Sequence, residues 1–394
     1  MSIKRLRFIV MTIVTASTLG AFSSLVSAIN LIAQPVRLAG NTYTVNVPSG
    51  YVFEVLTTEV DLPRMLTFHP DGSLFAGSRS GRVYRLPAPY QHPQELQQRF
   101  IYPHSVAFRD DRIFVASTEG LYSGHYSPSE PLLIQDLQKV ATLPVGGHSS
   151  RTVKVGPDKR VYVSLGISGN CSDEYLGQGY SANNRRGGVM LMDEPIASGW
   201  QVYSSGLRNP VGFDWSPHDG DIYASNNGPD HSGYEQPAEQ FAHLQPGSFH
   251  GMPWYQYDGE QVMRDDCQSG TPPRSVDEVQ KPVATFAARS APMAVAFVPV
   301  NSSLAELSGN ALVALHGSWA TQRWGGRASR RHPKVVMVQF DQGKAVGVED
   351  LLTGFQLDNG DRWARPVGIA IGPDNAIYIS SDGEPSAIFR LRRQ

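Results

Sequence analysis

The chain has 394 residues, with 34 Lys and Arg against 36 Asp and Glu and a formal net charge of −2. That balance argues against a nucleic-acid partner, which calls for a basic face. The 38 Gly and 28 Pro, with little helical periodicity, fit many short strands joined by turns.

Residues 1–28 read as an export signal peptide. Lys4, Arg5 and Arg7 form a positive start, Phe8 to Val26 is apolar and uncharged, and Val26-Ser27-Ala28 has the small-x-small pattern of a cleavage site. A single membrane anchor is the alternative, because the run is nearly long enough to span. Cleavage leaves residues 29–394 as one domain. It also removes three of the 34 basic residues, so 31 stand against 36 acids. The expected location is periplasmic or secreted, and no later stretch is apolar enough to insert stably in a membrane.

From Leu66 onward one pattern recurs six times. An alternating strand, a turn of Pro, Asp, Asn or Gly, and a returning strand make each copy. The first runs Leu66-Thr-Phe-His-Pro-Asp-Gly-Ser-Leu-Phe-Ala76. The others are Val106 to Val115, Val153 to Leu165, Val211 to Ala224, Val295 to Leu315 and Ile369 to Ser380. Six hairpins of this kind predict an all-β fold, a six-bladed β-propeller, with long insertions gathered on one face. One of the two strand-like segments before the first copy, Tyr43 to Val47 or Val52 to Leu56, is expected to complete the last sheet and close the ring.

The only cysteines are Cys171 and Cys267, both in polar, loop-like surroundings. In an exported chain they form one disulfide or remain two thiols. No C-x-x-C or C-x-x-C-H is present, so covalent haem and a dithiol redox site are not expected.

Two short segments carry chemistry. Gly206-Leu-Arg-Asn-Pro210 places a fixed cation beside an amide on a turn. Asn226-Asn-Gly-Pro-Asp230, one strand later, places a Gly-Pro corner whose carbonyls are expected to point outward. A cation, an amide and open carbonyls suit an acidic, flat cofactor and a hard metal ion such as calcium.

These segments stand in order with Gly147-His-Ser-Ser-Arg151, Val153-Lys-Val-Gly-Pro-Asp158, His316-Gly-Ser-Trp319 and Arg365-Pro-Val-Gly368. Together they resemble the glucose/sorbosone dehydrogenases, from about Tyr51 to Arg393, and the sorbosone and aldose-sugar branch more than the soluble glucose enzyme. The resemblance implies exported quinoproteins built as six-bladed propellers around pyrroloquinoline quinone (PQQ) and calcium.

Carried over residue by residue, it implies His148 as the base that takes the hydroxyl proton and Arg208 as the cation beside the quinone oxygen. Asn209, Arg365 and His104 are implied as cofactor contacts, and the carbonyls of Gly228 and Pro229 as calcium ligands. The family's acid before the histidine is replaced by Gly147, so Arg151 or a distant carboxylate is left to orient the ring. An arginine two residues before Arg365 is replaced by Trp363, which offers a stacking surface in place of a charge. A lysine on the fifth blade lacks a clean counterpart. The basic stretch of Arg323, Arg327, Arg330, Arg331 and Lys334 is either its substitute or a solvated loop. Asp230, Glu235 and Glu239 are either ligands of a second ion or solvated acids. Trp254, Tyr255, Tyr257, Trp319 and Trp324 either stack on sugars or pack loops.

The implied activity is oxidation of an aldose or sorbosone-like sugar by hydride transfer to the quinone, with electrons passing to a separate acceptor. A calcium-dependent lactonase and a non-catalytic binding propeller are the alternatives. No G-x-G-x-x-G, G-x-S-x-G or H-E-x-x-H is present.

Overall fold

A computed structural model describes residues 28–394. The expected signal peptide, apart from Ala28, lies outside the described residues. Six antiparallel sheets surround a central axis, each with its first strand innermost. The first five blades begin at Pro63–Phe68, Ser105–Arg109, Val153–Val155, Pro210–Trp215 and Pro292–Phe297. The sixth comprises Pro366–Ile371, Ile377–Ser381, Ala387–Arg393 and, from the other end of the chain, Tyr51–Thr57. Tyr51–Thr57 pairs antiparallel with Ala387–Arg393, with Phe53 opposite Leu391, and this pairing closes the ring. The expected ring closure therefore falls to the second candidate segment. Tyr43 to Val47 belongs instead to a separate hairpin, Leu31–Leu38 with Asn41–Pro48.

Sequence repetition becomes repeated geometry at both ends of the blades. The first strands of four blades open with Pro63, Pro210, Pro292 and Pro366, and each has a register shift within the next three residues. Proline lacks a ladder donor and is tolerated at a strand start, and the irregularity re-aims the strand as it enters the ring. In the Pro-Val-Gly motifs, a Cβ on Gly212 would lie 2.2 Å from the Met293 carbonyl oxygen, and one on Gly368 would lie 2.4 Å from that of Arg64. Glycine there lets adjacent inner strands approach closely. At the opposite end, the hydroxyls of Tyr162, Tyr223 and Tyr378 donate to Asp158, Asp219 and Asp374 at 2.8, 2.9 and 2.8 Å, locking three hairpin turns. Apolar side chains fill the spaces between blades, as in the cluster of Phe114, Leu121, Val163, Leu165 and Met190.

One face of the ring carries the links between blades and the loops that follow each second strand. The longest of these loops leave blades 3, 4 and 5 after Leu165, Asn226 and Leu315. An insertion after Leu244 of blade 4 runs alongside blade 3, where Ser248–Phe249 pairs in parallel with Ser204 and Ser205, and continues onto that face. The Cys171–Cys267 disulfide ties the insertion to the blade 3 loop. Among the described residues, no helix is long and apolar enough to cross a membrane.

Candidate functional site

The residues singled out from the sequence lie on this loop-bearing face. His104, His148, Arg208 with Asn209, and Arg365 each stand on the link that enters a first strand, while Gly228 and Pro229 follow the second strand of blade 4.

The His148 loop is built by backbone constraint and two buried arginines. Gly147 has φ +64°, and a Cβ there would lie 2.2 Å from the Ser168 backbone, so neither an acid nor any other side chain fits at this position. Arg151 donates to the carbonyls of His148, Ser150 and Pro144 at 2.6, 2.7 and 2.8 Å. Arg186 donates to those of Gly166, Val145 and Gly146 at 3.0, 3.1 and 2.7 Å. Sequence reading missed Arg186. Its only signal was a charged pair, Arg185-Arg186, running directly into Gly187-Gly188.

The ring of His148 is oriented by neither Arg151 nor a carboxylate. Nδ1 hydrogen-bonds the Ile167 carbonyl, so Nδ1 carries the proton and the Nε2 lone pair is open. Burial, followed by the nearby positive charge of Arg208, pushes the imidazole down to about 4. His148 is thus a neutral base at ordinary pH.

Arg208 is buried, with Nη2 donating to Asn170 Oδ1 at 2.7 Å and Nη1 reaching the Asn227 carbonyl at 3.4 Å. Asp230 Oδ2 lies 3.7 Å from Nη2. The main chain of Arg208 accepts the Ile167 N–H at 2.8 Å. The neighbouring Asn209 places Oδ1 3.4 Å from the Ser150 hydroxyl, and its carbonyl receives Asn227. Gly166 lies beneath both chains, since a Cβ there would be 2.6 Å from Asn209 Oδ1 and 3.1 Å from His148 Cβ.

Across the ring, Asp382 binds Arg64 through one oxygen and His316 Nε2 through the other, both at 2.6 Å. His316 Nδ1 accepts Arg365 Nη2 at 2.8 Å, so His316 is a neutral relay between an acid and a cation. Burial lowers its pKa despite the opposing pull of Asp382. Arg64 and Arg79 both sit 5.7 Å from the Tyr102 ring centre. His104 is fully buried, with Nδ1 3.2 Å from the Arg151 carbonyl and Nε2 lacking a partner among the described residues.

Several expectations meet a different arrangement. Trp363 presents no face to a ligand. It is 2% exposed in the core, stacks on Tyr43 at 4.9 Å and donates Nε1 to the Gly354 carbonyl at 2.7 Å. The Pro229 carbonyl does not point outward, because the Arg289 guanidinium hydrogen-bonds it. Glu239 is buried, and Asp230, with its side chain 31% exposed, is held in ion pairs. Asp230 pairs with Arg208 and Arg289, and buried Glu239 accepts the N–H groups of Gly228 and Arg289 at 2.6 and 2.7 Å. Burial pushes the Glu239 carboxyl up to about 7. In the basic stretch, Arg327, Arg331 and Lys334 pair with Asp361, Glu235 and Asp350. Trp254 is fully buried, whereas Trp319 and Trp324 are 71% and 91% exposed.

The donor set fits a flat polyanion. Arg208 and Arg365 offer charge from two different blades, and the Nε atoms of Arg208 and Arg64 are buried with no partner among the described residues. A calcium ion fits less well. Only the Gly228 carbonyl is left without a donor from the described residues, and two guanidinium groups flank the corner.

The family described as Glucose / Sorbosone dehydrogenase matches residues 133–390. A curated protein of Borreliella burgdorferi, described as uncharacterized, is 24% identical over 377 residues, covering 91% of this chain and 92% of its own. The holo PQQ domain of pyranose dehydrogenase from Coprinopsis cinerea is 21% identical, with TM-score 0.71 and coverage of 89% of this chain and 97% of its own. A calcium structure of the Trichoderma reesei AA12 carbohydrate-active enzyme is 17% identical, with TM-score 0.72 and coverage of 94% and 100%.

Proposed function

From its membership of the glucose/sorbosone dehydrogenase family, to which this chain belongs, we propose that it is an exported, PQQ-dependent dehydrogenase of an aldose or similar sugar. The sugar is oxidised at its anomeric carbon to a lactone, and a separate acceptor takes the electrons. One observation carries this reading: a neutral imidazole with its Nε2 lone pair open stands beside a buried guanidinium.

When bound, the quinone supplies a two-electron acceptor for hydride from carbon. The protein's part is to bind, orient and move a proton. His148 Nε2 accepts the sugar hydroxyl proton, while the Ile167 carbonyl holds the ring at Nδ1. Arg208 provides preorganised positive charge in a water-poor setting, where it acts more strongly than in solvent. Arg365 and Asn209 contribute donors to the cofactor's edge, and His104, protonated at Nδ1, offers Nε2 as an acceptor. The lactonase alternative needs open carboxylates and amides. Here Asn226, Asn227 and Glu239 are spent on Asn209, Pro292 and backbone N–H groups.

The test is a spectroscopic titration of the mature chain with PQQ, then dye reduction with a panel of aldoses and assay of lactone. Saturable binding with sugar-dependent reduction supports the proposal. No binding, or lactone hydrolysis without reduction, sinks it.

A further inference from the structure

The loop from Gly228 to Gln236 gathers its oxygens around a single side chain. Arg289, on the link between blades 4 and 5, is 4% exposed. Its Nη1 reaches the Pro229 carbonyl and lies 3.3 Å from Asp230 Oδ1. Nε and Nη2 both donate to the Gly233 carbonyl, the first at 2.9 Å, and Nη2 also donates to that of Gln236 at 2.6 Å. Three backbone carbonyls and one carboxylate thus enclose one positive charge. The enclosure is braced from behind, because one oxygen of Glu239 accepts the Arg289 N–H and the other accepts the Gly228 N–H. Arg289 itself has φ +70°, a conformation costly for a residue with a side chain.

Carbonyl and carboxylate oxygens converging in this way are what a hard cation requires. A guanidinium meets the same requirement with five fixed donors and a charge that persists at all working pH values. The two cannot share the corner. A dication on the Pro229 carbonyl would sit within a few ångströms of Arg289 Nη1, and at that range the repulsion is severe at interior dielectric.

We infer that Arg289 is a built-in substitute for a metal cation at the Gly228-Pro229 corner, so that this face binds its anionic ligand without calcium. The ligand assignment rests on the proposed function, whereas the cation substitution is tested without any cofactor.

The experiment uses the mature chain stripped with chelator, with calcium binding read by calorimetry and by terbium luminescence. Melting is followed with and without calcium. The wild type is expected to show no saturable calcium site at this corner and no calcium-dependent melting shift. Arg289→Gln, which keeps volume and removes charge, is expected to gain calcium affinity by at least about tenfold and a melting temperature that rises with calcium. Asp230→Asn identifies the corner, since binding that survives it belongs elsewhere on the surface. Calcium binding by the wild type that Asp230→Asn abolishes overturns the inference, as does a folded Arg289→Gln with no gain. If Arg289→Gln does not fold, the wild-type measurement and Arg289→Lys, expected to remain calcium-independent, decide. Quinone titration with and without calcium separates the two readings. Quinone binding that requires calcium defeats only this inference, and no quinone binding under either condition defeats only the proposed function.

Discussion

His148 and Arg208 are anchored to the two sides of one residue. The Ile167 carbonyl accepts His148 Nδ1, and the Ile167 N–H donates to the Arg208 carbonyl at 2.8 Å. Ile167 follows the second strand of blade 3, so a base and a cation from two different links are set in register by a third segment. Replacing His148 with Ala should lower kcat by about 10²–10⁴ while leaving quinone affinity within a few fold. Parallel loss of affinity would show that the imidazole serves binding instead.

The same geometry sets a pH dependence. With its pKa held near 4 by burial and then by Arg208, His148 remains an open base well below the usual histidine range. The acid limb of kcat/KM should therefore fall near pH 4, not near 6.5. Arg208→Gln removes a positive neighbour that disfavours imidazolium, so the limb should move upward, though not fully, since burial remains. For stability the sign is the reverse of a salt-bridged histidine. Between about 4 and 6.5 the unfolded chain binds the proton and the folded one does not, so stability falls as pH drops through that window. His316, also held near 4, adds to the same slope. Melting temperatures across pH 4 to 7 measure the effect, and a flat profile would refute it.

Asn170 Oδ1 accepts both Arg208 Nη2 at 2.7 Å and the Asp230 N–H at 3.1 Å, and the next residue is the disulfide-bonded Cys171. Both donors demand an oxygen, so the amide orientation is settled. Asn170→Ala should cost about 1.5–3 kcal/mol in quinone affinity, the range of a hydrogen bond to a charged group. The pair Cys171→Ser with Cys267→Ser should weaken the same affinity, and combining it with Asn170→Ala should add little. Strict additivity would separate the bridge from Arg208.

Gly147→Ala tests the backbone constraint at the base. With φ +64° and the Ser168 backbone 2.2 Å from the added carbon, the substitution should destabilise by about 1–3 kcal/mol from conformation alone, with overlap adding to it. Chemical denaturation measures the loss. An unchanged midpoint would show that the two loops can part.

Asp382→Ala leaves Arg64 and Arg365 facing each other with only neutral His316 between them. Breaking a buried pair in this way should cost about 3–5 kcal/mol. Against the cost of burial, His316 and then Arg64 hold the Asp382 carboxyl below its ordinary range, so its contribution is complete above about pH 4 and fades below that. An acid-denaturation midpoint that does not rise in Asp382→Asn would count against this.

Much of this protein was legible one residue at a time. Period-two alternation and the Pro-Asp-Gly turns are local properties, and six hairpins with a spare strand before the first point to a ring of small sheets, which leaves only short, protected edges. The Pro-Val-Gly strand starts are likewise local, and in the fold they follow Arg208, Asn209 and Arg365 on links entering the ring. What the sequence could not carry is who meets whom across blades. Trp363 looked like a ligand platform beside Arg365, yet its ring turns into the core onto Tyr43, more than three hundred positions away in the chain. Ile167 in place of an acid at His148, Arg186 beneath the loop and Arg289 on the Pro229 carbonyl are all contacts of long sequence separation. Spacing along a strand is decided by backbone geometry within a few residues. The occupant of a carbonyl corner is decided only when separate blades are brought together and each buried polar group must find a partner.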